Sequence, residues 1–178
     1  MSPWHPAAVR PGEKLPDLPL LDQAGRPATL SSLGGKGPVV VLFFGGLGDA
    51  AGLRLLCDYR DFTLSMRRAG VTVCGVGHAE PSGLWWLRRN RGVAFPLFAD
   101  ADATALPALG FVEQAGLLLL DSDLTVKQRV GGEHAQAEAM LPLLRRAAGK
   151  RAKPSLPERA VQFFQALHHA LRPLKAAR

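Results

Sequence analysis

Two cysteines, Cys57 and Cys74, are the only thiols in the 178-residue chain, and a thiol that ionises can react with oxidants and disulfides. Cys57 lies in a predicted helix, where the guanidinium of nearby Arg60 could lower the thiol pKa and make the side chain oxidisable. The alternative is that Cys57 is only a small, partly buried apolar residue. Cys74 lies in a strand predicted to be central, where a buried thiol is inert. A bridge between the two is conceivable and would need Cα atoms roughly 4.4–6.8 Å apart.

The histidines give a weaker chemical signal. His78 follows the strand that contains Cys74, at the edge where open α/β sheets bind ligands, although a solvated loop histidine is the more ordinary interpretation. His168 and His169 are neighbours in the chain, and neighbouring residues on a helix do not face one another, so they cannot share a metal ion. The sequence therefore predicts no metal site, and we expect no cofactor.

Two further motifs have only part of the pattern of a binding site. The glycines at 45, 46 and 48 could form a phosphate cradle, but no Gly-Lys-Ser/Thr follows them as in a P-loop. Trp85 and Trp86 precede three arginines on a short predicted helix, and this combination can stack on bases and bind phosphates. On one short helix it is more ordinary for one tryptophan to pack inward and for the other to cover a partner. Nucleic acid is therefore not favoured as a ligand.

Strands and helices alternate along the chain, which predicts a parallel core with an antiparallel edge. The apolar run 39–44 predicts a central strand that is buried on both faces. Asp49 is then the N-cap of a helix over residues 50–69, and Gly70 takes the left-handed position after it. The other predicted elements are a hairpin (18–21 and 28–30), a strand (71–76), a helix (81–90), an extended segment (95–100), a short helix (103–109), a second hairpin (117–120 and 124–130) and a helix (135–148).

The helix predicted over residues 50–69 has two apolar faces. The broader one is the core face, formed by Leu55, Leu56, Tyr59, Phe62, Thr63 and Met66. A second, narrower stripe contains Leu53, Cys57 and Leu64 and is bordered by Arg60 and Arg67. This stripe is a candidate contact for a second subunit.

The net charge of +7 is concentrated at the end of the chain. Residues 1–144 carry 13 Lys/Arg and 14 Asp/Glu, whereas residues 145–178 carry nine Lys/Arg and one Glu. The body of the protein is therefore nearly neutral and the tail is basic. Such a tail attracts anionic partners through salt-sensitive forces, or it only increases solubility.

We expect one domain over residues 1–149 and a basic tail over residues 150–178. Within the tail, a linker precedes a predicted helix over 156–171, whose apolar residues Val161, Phe164, Leu167 and Leu171 form one stripe. This helix is expected to dock on its own domain or on a partner subunit.

Targeting signals are weak in this sequence. No apolar run approaches the roughly 18 residues of a membrane span. The first residues lack the basic start and the apolar stretch of a signal peptide. We therefore expect a cytoplasmic protein without a membrane span.

The order of these elements, and four phrases within them, resemble the peroxiredoxin (AhpC/TSA) branch of the thioredoxin-like superfamily. The phrases are GEKLPDLPLLDQAGRPATLSSLGGKGPVVVLFF, AGVTVCGVG, VAFPLFADADATALPALGF and AGLLLLDSDLTVKQRVGG. The resemblance covers about residues 12–148. It implies an α/β thioredoxin-like fold, with a mixed central sheet flanked by helices and an N-terminal β-hairpin. The helix predicted in the tail adds an extra C-terminal helix to this fold.

The resemblance also implies where an active site should lie. The active-site pattern of that family, Pro-x-x-x-Thr-x-x-Cys, falls on Gly46, Ala50 and Leu53 when it is anchored on the Phe-Phe pair that ends the strand. A thioredoxin-type Cys-x-x-Cys would fall on residues 50–53 and is also missing. The arginine of the family should lie near Ala115, where the sequence reads Glu-Gln-Ala. The resemblance therefore predicts a degenerate active site.

Three functions remain open at this stage. The first is a non-peroxidase that uses the scaffold for binding or assembly, as a homodimer through Leu53 and Leu64 or through Phe164 and Leu167 of the tail. The second is a thiol-dependent antioxidant oxidoreductase that uses Cys57. The third is a protein that binds an anionic partner through its basic tail.

Overall fold

In the computed structural model, which describes residues 9–111 and 115–149, the apolar run predicted to be central forms a fully buried strand. The strands are β1 (Leu20–Leu21), β2 (Pro27–Ala28), β3 (Val39–Phe44), β4 (Thr72–Gly77), β5 (Leu97–Ala99), β6 (Gly116–Leu120) and β7 (Val126–Gly131). The α-helices are α1 (Ala50–Arg68), α2 (Pro81–Arg91), α3 (Ala105–Ala108) and α4 (Ala137–Ala147). The predicted tail helix, with Phe164 and Leu167, lies outside the described residues.

The seven strands form one mixed sheet in the order β2-β1-β5-β4-β3-β6-β7. Strand β3 pairs in parallel with β4, and β4 pairs in parallel with β5. The N-terminal hairpin β1–β2 and the late hairpin β6–β7 are antiparallel and form the two edges. The predicted α/β class, mixed sheet and N-terminal hairpin are therefore confirmed.

Each face of the sheet carries its own core, because successive side chains of a strand point to opposite faces. Helices α1, α2 and α4 cover one face through Leu56, Tyr59, Met66, Leu84, Leu87, Met140 and Leu144. The N-terminal segment and α3 cover the other face through Val9, Leu18, Leu30, Ala105 and Leu106.

Two local expectations were wrong. The strand predicted to begin at Leu124 begins at Val126, because Leu124 has a φ of 64° and its N–H donates to the carbonyl of Asp121 within the connecting turn.

The second concerns the two tryptophans of α2, of which neither packs into the core. Trp85 is 53% exposed and Trp86 is 49% exposed, since Leu84 and Leu87 already fill the inner side of that short helix.

A contact between helices replaces a missing cap. The amino end of α4 has no capping side chain of its own, since Gln136 makes no capping hydrogen bond. Instead Oδ2 of Asp58, on α1, accepts a hydrogen bond from the N–H of Ala137 at 2.6 Å. A carboxylate at a helix amino end satisfies unpaired N–H groups, so Asp58 fixes α4 against α1.

Candidate functional site

The corner between β3 and α1 is where the sequence places an active site. Strand β3 ends at Phe44, and residues 45–49 lead into the first turn of α1. The Asp49 carboxylate accepts from the N–H of Gly52 at 2.9 Å and from the N–H of Gly45 at 2.8 Å. The predicted N-cap is confirmed, and this carboxylate occupies hydrogen-bond donors at the amino end of the helix.

Gly46 gives the corner a backbone that proline cannot adopt. Its φ is +135°, whereas the proline ring fixes φ near −65°. A Cβ atom at this position would also lie 2.7 Å from the carbonyl oxygen of His78. The position that the family pattern assigns to proline is therefore shaped for glycine, because the turn passes directly beside the end of β4.

Gly52 brings the first turn of α1 into contact with β3. A Cβ atom on Gly52 would lie 2.4 Å from the Cβ of Phe44 and 2.3 Å from Oδ2 of Asp49. The Phe44 ring in turn lies over Gly77, where an added Cβ would be 2.1 Å from the ring. Two glycines on different elements thus make room for one phenylalanine, which fixes the helix on the strand.

Ala50 and Leu53 occupy the other two positions of the pattern. Ala50 is the first residue of α1 and is exposed, and its side chain is a methyl group. Leu53 is half-buried and packs against the core on the helical face of the sheet, while its N–H donates to the carbonyl oxygen of Asp49 at 2.9 Å. Neither side chain offers a nucleophile or a hydrogen-bond donor.

The position expected for the activating arginine holds Ala115, which is buried just before β6; residues 113 and 114 lie outside the described part of the chain. A guanidinium that the sequence analysis did not single out, that of Arg129, stacks over the Phe111 ring at 4.5 Å and donates to the carbonyl of Gly110. Phe111 itself stacks on Phe43, with ring centroids 4.4 Å apart. Phe43 faces the core opposite α1, so this cation–aromatic column supports the far face of the sheet.

His78 lies at the carboxyl edge of the sheet, as expected from its place after β4. Its Nδ1 is 3.0 Å from the carbonyl oxygen of Asp100, so Nδ1 carries the proton and donates. The Asp100 carboxylate was missed by the sequence analysis; it is buried and accepts from the N–H groups of Thr104, Ala105 and Leu106, which caps α3. An aspartate shortly before a predicted helix was the available signal.

Cys57 is a half-buried free thiol one turn after Leu53 on α1. The guanidinium of Arg60 pairs with the Asp61 carboxylate at 2.7 Å and donates to the carbonyl of Arg91 at 2.7 Å. Within the described residues, none of the hydrogen bonds of Arg60 goes to Cys57. Arg60 therefore ties α1 to the end of α2.

Cys74 is fully buried and free, and burial raises the pKa of its thiol. Its side chain belongs to the core on the face opposite α1, whereas Cys57 lies on α1. The conceivable bridge between the two cysteines is therefore wrong, because the sheet lies between them. Cys74 is a buried core residue, as predicted.

Two kinds of feature are absent from residues 9–111 and 115–149. No group of three or more His, Cys, Asp or Glu side chains there is arranged to hold a metal ion. No helix in this part of the chain has the length and apolar character needed to cross a membrane.

Comparison with known proteins agrees with this architecture. The chain is 31% identical over 94 residues to a chloroplastic peroxiredoxin Q of Populus jackii, with 53% of this chain and 44% of the relative covered. It is 37% identical over 94 residues to the chloroplastic peroxiredoxin Q of Sedum lineare, with 53% of this chain and 50% of the relative covered. The chain thus spans about half the length of the curated relatives it matches.

A solved structure extends the likeness to most of the described fold. The crystal structure of peroxidoxin BcpB from Mycobacterium tuberculosis superposes with a TM-score of 0.67 at 21% identity, covering 83% of this chain and 99% of that one. The thioredoxin-like, peroxiredoxin-type fold is thereby shown. The model of the AhpC/TSA family matches residues 11–129, more than half of the chain and the whole β3–α1 corner. This chain therefore belongs to the AhpC/TSA family.

Proposed function

We propose that this AhpC/TSA protein is not a thiol peroxidase and that it uses the family scaffold for binding or assembly. The observation that carries the proposal is Leu53, an aliphatic side chain in the first turn of α1 at the position that the family pattern assigns to the attacking cysteine. Peroxide reduction by this family requires a thiolate sulfur that attacks the O–O bond, becomes a sulfenic acid and releases the second oxygen as hydroxide or water. Leu53 has no lone pair with which to begin that step.

The groups that would assist the reaction are also replaced. A thiolate at a helix amino end is stabilised by unpaired N–H groups and a nearby cation. At this corner the N–H of Gly52 already donates to Asp49, Ala50 has no hydroxyl, and Ala115 has no charge. Restoring the sulfur alone would therefore not restore the environment that makes it reactive.

The decisive experiment measures peroxide consumption by the purified protein with a thioredoxin-type reductant. We expect hydrogen peroxide and an organic hydroperoxide to be consumed no faster than by the Cys57→Ser variant. A kcat/KM above about 10⁴ M⁻¹ s⁻¹, the low end of efficient enzymes, would overturn the proposal.

Assembly is the role that the exposed part of the helix stripe supports. Leu64 is 57% exposed on α1, and Leu53 lies on the same stripe. We propose a homodimer through this stripe, with Phe164 and Leu167 of the tail as the alternative contact. Light scattering should show a dimer that Leu64→Asp dissociates, while Leu143→Asp, a matched change on α4, does not. A monomer at all concentrations would contradict this.

A thiol oxidoreductase that uses Cys57 is the second candidate. The observation in its favour is that Cys57 is free and half-buried one turn from the site position, whereas Cys74 is sealed in the core. It predicts alkylation of Cys57 near pH 7 at least about tenfold faster than that of a thiol with pKa near 8.5, and loss of this labelling in Cys57→Ser. Labelling of Cys57 at the ordinary rate would remove this candidate, and Cys74→Ser serves as the control.

The basic tail supports a further partner of opposite charge. Residues 145–178 carry nine Lys/Arg and one Glu, so binding to an anionic protein should weaken steeply with salt and vanish when residues 150–178 are deleted. Salt-independent binding would contradict this role. We further propose that the protein works in the cytoplasm, where its two thiols stay reduced.

A further inference from the structure

A cleft of about 430 Å³ opens at the amino end of the parallel strands, at the opposite end of the sheet from the β3–α1 corner. It is lined by side chains and backbone from the loop before β3, the last turns of α1, the start of β4 and the segment before β5: Lys36, Thr63, Arg67, Gly70, Val71, Thr72, Val73, Ala94, Phe95 and Pro96. Its volume is within the roughly 300–1,000 Å³ typical of small-molecule sites. The cleft is large enough for a ligand and distant from the position of Leu53.

The charged groups of this cleft are both cationic. Lys36 and Arg67 are exposed, no acidic side chain lines the cleft, and neither cation has an ion pair within the described residues. The acids of the β6–β7 turn, next to the loop of Lys36, have partners of their own. Asp121 pairs with Lys127 at 3.0 Å and Asp123 pairs with Lys14 at 2.6 Å. Two unneutralised cations beside one cavity create a positive potential that attracts an anion.

The backbone holds these cations in place. Gly37, next to Lys36, has a φ of +146°, and a Cβ added there would lie 2.4 Å from the carbonyl oxygen of Gly70. The N–H of Thr72 donates to the carbonyl of Pro38 at 2.9 Å and continues the pairing of β3 with β4. The loop of Lys36 is thus pressed against the end of α1, where Arg67 lies. A site on a fixed backbone loses less entropy when it binds a ligand.

The negative end of α1 is partly satisfied by the chain itself. The last carbonyls of the helix already accept hydrogen bonds from the chain: Ser65 from Ala69, Met66 from Val71, and Arg67 from Gly70. These bonds satisfy three of the terminal carbonyl groups and so reduce the negative potential at this end of the helix, which the two cations oppose.

The rest of the cleft is apolar. Val71, Val73 and Phe95 form buried parts of its wall, and Ala94 and Pro96 are exposed beside them. An inorganic anion would leave this wall in water, whereas an anion that carries a hydrocarbon or aromatic group would cover it. Thr63 and Thr72 also line the cleft, and the Thr63 hydroxyl donates to the carbonyl of Tyr59 at 3.0 Å.

We infer that this cleft binds a small amphiphilic oxyanion, a carboxylate or phosphate monoester with an apolar group, with its charge on Lys36 and Arg67 and its apolar part against Phe95. Because the cleft and the β3–α1 corner lie at opposite ends of the sheet, the result here does not depend on whether the protein reduces peroxides.

The test uses the full-length protein and four probes: 4-phenylbutyrate, phenyl phosphate, inorganic phosphate and the neutral 4-phenylbutanol. Titrations followed by amide NMR should move the signals of Val71, Thr72 and Phe95. We expect one or both amphiphilic anions to bind at least about tenfold more tightly than inorganic phosphate and than the neutral alcohol. Lys36→Gln and Arg67→Gln should each weaken binding about fivefold or more, while Arg68→Gln, an exposed neighbour outside the cleft, should not.

Four results would overturn the inference. The first is that neither amphiphilic anion binds at a concentration of about 10 mM, since a dissociation constant above this value is weaker than ordinary ligand affinity. The second is equal binding of inorganic phosphate, which would show that the apolar wall takes no part. The third is binding that survives both cleft variants, and the fourth is signal changes that map to another surface.

Discussion

The two ends of helix α1 differ in how their charges are satisfied. At the amino end, the Asp49 carboxylate accepts from two backbone N–H groups, and Gly52 packs directly on Phe44. At the carboxyl end, Arg67 lies beside Lys36 and an open cleft, and neither has an ion pair in the part of the chain that is described. The end that a family resemblance marks as the reactive one is closed by its own side chains, whereas the other end has charge available for a ligand.

The largest expected effect comes from crowding the closed end. Alanine normally stabilises an exposed helix by about 1 kcal/mol relative to glycine. At Gly52, however, the new methyl group would lie 2.3 Å from Oδ2 of Asp49 and 2.4 Å from the Cβ of Phe44. We expect Gly52→Ala to lower the free energy of unfolding by about 3 kcal/mol, as overpacking does, in urea denaturation.

Gly48→Ala is the matched control for that change, since nothing lies within 4 Å of a Cβ atom at this position. Its effect should stay within about 0.5 kcal/mol. A stabilising Gly52→Ala would contradict this close approach of α1 to β3.

Removing the cap should have the next largest effect. Asp49→Ala leaves the N–H groups of Gly45 and Gly52 without their acceptor, and we expect a loss of about 1–2 kcal/mol in the same measurement. Asp49→Asn retains one acceptor oxygen and should lose less. An unchanged stability in Asp49→Ala would contradict the view that this end of the helix is closed by its cap.

The middle of α1 offers a change of opposite sign. The hydroxyl of Tyr59 is buried and has no hydrogen-bond partner among the described residues, and burial raises the pKa of this phenol. An unsatisfied buried hydroxyl costs stability, so Tyr59→Phe should raise the free energy of unfolding by about 1 kcal/mol. A loss of stability would instead reveal a partner for the hydroxyl.

The smallest effect is expected at the open end. Lys36→Gln and Arg67→Gln remove charges that take part in no ion pair within the described residues, so each should change stability by less than about 0.5 kcal/mol. In Arg67→Gln, about 0.3 kcal/mol of this change comes from the lost attraction between the guanidinium and the negative end of the helix dipole. A loss comparable to that of Asp49→Ala would mean that the cations stabilise the fold and are not available to a ligand.

Local patterns were sufficient for most of the fold. The apolar run of β3, the Asp49 cap and the glycines after α1 and α2 all act through neighbours in the chain, so their structural roles can be predicted from sequence. The boundaries of α4 and β7 were less accurate. Leu124 takes a left-handed turn conformation, which an apolar residue rarely adopts, and the amino end of α4 is capped from another helix.

The candidate site shows where such prediction stops. The residue types at positions 46, 50 and 53 were known from the sequence alone. That Gly46 lies against the carbonyl of His78, and that Arg60 binds the end of α2, depends on how distant elements pack. The same is true of Cys74, whose orientation away from α1 follows from the register of β4 in the sheet.

The sequence by itself determined the family and the order of strands and helices, because these follow from residue identity and short-range periodicity. Only the tertiary structure decided which side of the sheet each cysteine occupies and that Lys36 and Arg67, far apart in the chain, lie beside one cleft. The physical reason is that side-chain packing and close glycine contacts, such as Gly37 on Gly70, bring together residues whose separation in sequence carries no local signal.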